Sequence, residues 1–181
     1  DEENFIGFRT VLPFTLPDWC TITPPQPTYG NCPIKEPGKD SLIVVTHGWK
    51  PNIAWLEEMT NNISQYLLDN GLNNWQVVAY KWVEKAQAPI QKILNEAEKE
   101  GENLGICIAN QKRKYVHLIA HSAGSALIQT ACEAIKKWSP ESIVHLTFLD
   151  AYTGPIYKGE HKYGQYADWS DSYFSKDSET V

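Results

Sequence analysis

From residue 41 onward the apolar residues follow two alternating rhythms. Leu42-Ile43-Val44-Val45 is an unbroken apolar run, the pattern of a strand buried on both faces. It stops at Thr46-His47-Gly48-Trp49, and then Leu56, Met59, Ile63 and Leu67 recur every three or four residues until Asn70-Gly71. That spacing predicts an amphipathic helix with a stop signal. Trp75 to Trp82, centred on Val77-Val78-Ala79, predicts a second strand, near 75–81. The helical rhythm returns at Ile90, Ile93, Leu94 and Ala97 and continues through Leu104, Cys107 and Ile108. Gly101 inside it is expected to bend or split the helix. Tyr115 to Ala120 predicts a third strand. Leu127, Ala131, Ala134, Ile135 and Trp138 predict a helix that Lys136 and Lys137 suit at its C-terminal end and Pro140 closes. Ile143 to Leu149 predicts a fourth strand, delivering Asp150.

Four strands alternating with helices imply an α/β fold, a parallel sheet covered by helices on both faces. Residues 1–40 follow neither rhythm. Asn4 to Phe14 carries β-type residues, and Pro17, Pro24, Pro25, Pro27, Pro33 and Pro37 punctuate the rest. The expected organisation is an irregular arm over 1–40 and a single core over 41–181.

Composition narrows the function classes. The 181 residues include 16 basic and 22 acidic side chains, a net charge of −6, with no dense basic run. That disfavours nucleic acid and favours a neutral small-molecule substrate. No apolar run approaches the ~20 residues of a membrane-spanning helix. Of the four cysteines, Cys20 and Cys32 lie in the turn-rich arm and are expected to pair. Cys107 and Cys132 lie in helical patterns and are expected to be buried thiols. A loop-closing disulfide points to an oxidising compartment, secreted or periplasmic.

The chemistry-bearing stretch is Ala120-His121-Ser122-Ala123-Gly124, between a predicted buried strand and a predicted helix. It has the form G-x-S-x-G with alanine at the first position. Such a turn is so tight that side chains two before and two after the serine must be small, and it lifts the hydroxyl above the strand ends. An acyl-transfer serine also needs backbone N–H donors facing the developing oxyanion. Trp49, in the loop leaving the first strand, and Ala123, after the serine, are the expected donors. Asp150, at the exit of the fourth strand, is placed to orient a histidine and stabilise its charged form. This chemistry calls for no metal and no cofactor. His117 and His121 lie four apart on one strand, ~13 Å, too far to share a metal.

Val45-Thr46-His47-Gly48-Trp49, His117-Leu118-Ile119-Ala120-His121-Ser122-Ala123-Gly124 and Phe148-Leu149-Asp150 resemble the pancreatic and lipoprotein lipase group of α/β-hydrolases. The resemblance spans roughly residues 41–156. It implies Ser122 as nucleophile, Asp150 as acid, Trp49 and Ala123 as the oxyanion hole, and an ester or lipid as substrate. Ala120 in place of glycine, and Ala151-Tyr152-Thr153 where the family has Pro-Ala, point to a distant member.

The base is the part without a clear candidate. His47 is in the oxyanion loop, His117 and His145 are inside strands, and His121 adjoins the serine. His161 has the correct chain order but follows Asp150 by little more than a turn-rich loop. The expectation is that the C-terminal part of the fold, with the histidine, lies beyond Val181, and that Tyr163 to Val181 lines or covers the cleft. Two alternatives remain open: a hydrolase-fold binding module without catalysis, or the same serine acting on a peptide or thioester or in acyl transfer.

Overall fold

A computed structural model describes residues 24–27, 31–154 and 157–175 of the chain. Five strands form one sheet: β1 (Ser41–Thr46), β2 (Trp75–Tyr80), β3 (Tyr115–His121), β4 (Ile143–Leu149) and β5 (Trp169–Tyr173). They are all parallel, in the order β2-β1-β3-β4-β5. Three helices connect them: α1 (Ala54–Asp69), α2 (Ile93–Asn110) and α3 (Gly124–Trp138).

Alternation along the strands explains the layers. Leu42, Val44, Val116, Leu118, Val144 and Leu146 point to one face and form a single core with α2 and α3. Ile43, Val45 and Ile119 point to the other face, where Leu56 and Leu67 of α1 cover them. Register brings Thr46 level with Ala120, His121 with Leu149, and Leu149 with Tyr173. The chain therefore leaves β1, β3, β4 and β5 along one edge of the sheet, where open parallel sheets place their ligands.

Three expectations are corrected. Residues 169–173 form a fifth strand where the sequence pattern predicts four. Trp169-Ser170-Asp171-Ser172-Tyr173 carries no apolar run because it is an edge strand, partly or fully exposed along its length. Gly101 does not split α2, which runs unbroken from Ile93 to Asn110. A Cβ there would lie 2.2 Å from the Leu127 carbonyl oxygen, and one at Gly105 2.5 Å from that of Ala131. Both glycines let α2 lie against the backbone of α3. The disulfide joins Cys32 to Cys107, not to Cys20, and Cys132 remains a buried thiol. The arm crosses the end of α2, where Gln111 donates to the Pro33 carbonyl at 2.6 Å. Cys20 and the stretch Asn4 to Phe14 lie outside the described residues. Among the described residues, no helix is long and apolar enough to cross a membrane.

Candidate active site

Ser122 sits between β3 and α3 with φ +52, a left-handed conformation that non-glycine residues rarely adopt. Its surroundings hold it there. The Ser122 N–H donates to the Leu149 carbonyl at 3.0 Å, and its carbonyl accepts from Ser125 at 3.0 Å and Tyr152 at 3.2 Å. A Cβ on Gly124 would stand 2.5 Å from the His47 carbonyl oxygen and 3.3 Å from the Ala120 Cβ. Gly124 is thus the position that must stay bare. With it bare, the methyl of Ala120 fits.

The loop after β1 crosses this turn. A Cβ on Gly48 would lie 2.8 Å from both the His121 carbonyl oxygen and the Ser122 Cβ, and 3.2 Å from the Ala123 nitrogen. Any side chain at position 48 would collide with the turn and crowd the Ala123 nitrogen. The backbone N–H groups of Trp49 and Ala123 have no hydrogen-bond partner among the described residues. The Trp49 indole is tied down, its Nε1 donating to the Ala88 carbonyl at 2.8 Å.

Asp150 follows β4 with φ +44. The end of β5 holds it: its N–H donates to the Tyr173 carbonyl at 2.8 Å, and its Oδ1 accepts from the Ser175 N–H at 2.5 Å. Asp150 and Ser122 therefore stand on neighbouring strand ends, joined through Leu149. The four expected residues, Trp49, Ser122, Ala123 and Asp150, come from three separate places in the chain and share one edge of the sheet.

The five histidines have other occupations. His47 is buried, and its Nε2 accepts from the Trp82 N–H at 3.1 Å, so its Nδ1 carries the proton and donates to the Gly48 carbonyl at 2.9 Å. Burial lowers its pKa and keeps it neutral. His117 and His145 stack at 3.9 Å on the α1 face of the sheet, bonded to Thr147 and Asp171 respectively. His121 meets the edge of Trp55. His161 is exposed in the short 3₁₀ turn Gly159–His161, with Glu160 as its nearest acid. Among the described residues, no histidine is hydrogen-bonded to Ser122 or Asp150.

Sequence reasoning missed Trp82, whose backbone and indole both bond His47, and Tyr152. It also missed the buried carboxylate of Glu100. That one had a signal: Glu100 interrupts the apolar face Ile93, Ala97, Leu104, Cys107 at helical spacing. Tyr152 lines an open cavity of about 650 Å³ together with Ile90, Leu94, Tyr157, Glu98 and Lys162.

No protein-family model matches the chain, and no curated protein matches its sequence significantly.

Proposed function

We propose that the chain is a serine hydrolase of carboxylic esters with an α/β-hydrolase-like core, as its resemblance to the pancreatic and lipoprotein lipase group implies. The observation that carries the reading is Ser122, left-handed between a buried parallel strand and a helix, beside the two unpartnered N–H groups of Trp49 and Ala123. The Ser122 oxygen would attack the ester carbonyl and lose its proton to an imidazole. The carbonyl oxygen, now anionic, would take hydrogen bonds from Trp49 and Ala123. Collapse would break the ester C–O bond, the alcohol leaving with the proton, and water would then hydrolyse the acyl-serine. Asp150, fixed by Ser175, would orient the imidazole. The cavity behind Tyr152 offers room for the apolar part of an ester. The Cys32–Cys107 disulfide favours an oxidising compartment, secreted or periplasmic.

A fluorophosphonate probe tests the reading. Ser122 is expected to be labelled slowly, and free imidazole is expected to speed the labelling, because no described histidine touches the serine. Ser122→Ala should abolish labelling with the circular dichroism spectrum unchanged. If His161 is the base after all, His161→Ala alone should remove the labelling seen without imidazole. The same lack of histidine contact favours a second reading, a hydrolase-fold binding module. A chain inert to the probe with and without imidazole supports that reading and ends the first.

A further inference from the structure

Glu100 is only 4% exposed, on a helix face otherwise made of apolar side chains. Its Oε2 accepts from the Tyr80 hydroxyl at 2.8 Å, and its Oε1 is 2.6 Å from the Lys85 ammonium. Burying a carboxylate costs several kcal/mol even when a partly exposed lysine such as Lys85 offsets part of it, so this arrangement is a poor way to gain stability alone. Its connections suggest another use. Tyr80 and Lys85 mark the start and middle of the segment 80–88, and that segment makes five hydrogen bonds, one to the last residue of β1 and four to the loop after it. The Tyr80 carbonyl accepts from the Thr46 hydroxyl at 2.9 Å. Trp82 bonds His47 twice, at 3.1 Å and 2.9 Å. The Ala86 carbonyl accepts the Lys50 N–H at 3.0 Å, and the Ala88 carbonyl the Trp49 indole.

The other side of Glu100 leads to the serine. Gly101, the next residue, lies against the Leu127 carbonyl of α3, and α3 begins one residue after Ala123. Gly124 in turn meets the His47 carbonyl, which closes the circuit. We propose that Glu100 is a positioning residue: through Tyr80 and Lys85 it sets the loop 47–50 against the start of α3, and so fixes the separation of the Trp49 and Ala123 N–H groups. Its catalytic consequence rests on the hydrolase reading. Its structural content does not.

Two readouts test this, the phosphonylation rate of Ser122 with the fluorophosphonate and the hydrogen exchange of individual amides. Glu100→Gln keeps the shape and removes the charge. It is expected to slow phosphonylation about ten-fold, since outright loss of an oxyanion donor costs ~10²–10³. It should also speed exchange at Lys50 N–H, leaving Ser122 N–H, bonded to Leu149, unchanged. Tyr80→Phe should do the same to a smaller degree. Leu67→Ala, on the opposite face of the sheet, supplies a destabilised control with normal phosphonylation. Glu100→Gln and Tyr80→Phe with wild-type rates and wild-type Lys50 exchange overturn the proposal, as does equal slowing in Leu67→Ala. A wild type inert at Ser122 ends the hydrolase reading alone, and Lys50 exchange then decides whether Glu100 holds the loop.

Discussion

Two imidazoles stacked at 3.9 Å cannot both be charged at small cost, and His117 shows the result. Burial, and then the neighbouring His145, push its pKa down to about 4, with Asp171 offsetting only part of the effect. The unfolded chain takes up this proton near pH 6.5, while the folded chain refuses it. Stability is therefore fully present above about pH 6.5 and lost as pH falls toward 4, by at most about 3 kcal/mol. Urea midpoints measured between pH 7 and pH 4.5 should fall accordingly, and His117→Phe should flatten the slope. A slope unchanged by that substitution would assign the effect elsewhere, and His47 is the next candidate because burial lowers it too. Single residues were legible in the sequence where their geometry depends on near neighbours. Ser122 needs small residues two positions to either side, and those are written beside it. The stacking of His117 on His145 depends on strand register, which no local pattern records.

Elements were legible where one face is apolar and the other is not. All four expected strands lie within a residue or so of their expected limits, because each is buried on at least one face. The strand β5 escaped notice because its exposure leaves no apolar run to read. Gly101 was misread for a related reason. Helix propensity counts it as a weak point, but packing makes it a contact point, with no room for even a methyl group. Gly101→Ala thus sets two effects against each other. Better helix propensity is worth about 1 kcal/mol, while forcing a Cβ into backbone 2.2 Å away costs more, typically 1–3 kcal/mol or above. The clash should win, lowering the melting temperature by several degrees. A raised melting temperature would mean that α2 and α3 separate easily. Gly48→Ala should suppress labelling of Ser122 and also lower the melting temperature, because its methyl group would sit 2.8 Å from the His121 carbonyl oxygen and 3.2 Å from the Ala123 nitrogen. Unchanged labelling would show that this N–H is not used.

That the strands are parallel, and that their ends share one edge of the sheet, followed from the alternation of strands and helices, whereas the order β2-β1-β3-β4-β5 is written in no local pattern. The cysteine pairing did not follow. Cys20 and Cys32 look like partners because they share a short loop, whereas Cys32 reaches Cys107 only once the arm has been laid across the end of α2. The actual bridge spans 75 residues. A closure of that length restricts the unfolded chain by about 4 kcal/mol on the loop-entropy estimate, so reduction or Cys107→Ser should lower the urea midpoint clearly. Little change would mean that native strain offsets the constraint. β1, α1, β2 and most of α2 lie between the bridged cysteines, so this half of the molecule is a covalent ring, while β3, α3, β4 and β5 hang from it as a tail. A protease cutting once anywhere from residue 33 to residue 106, for instance at the exposed Lys50, would only open the ring. The two pieces would run as one molecule on a gel until a reductant was added, whereas one cut between Cys107 and Asp150 would release Asp150 from the ring at once.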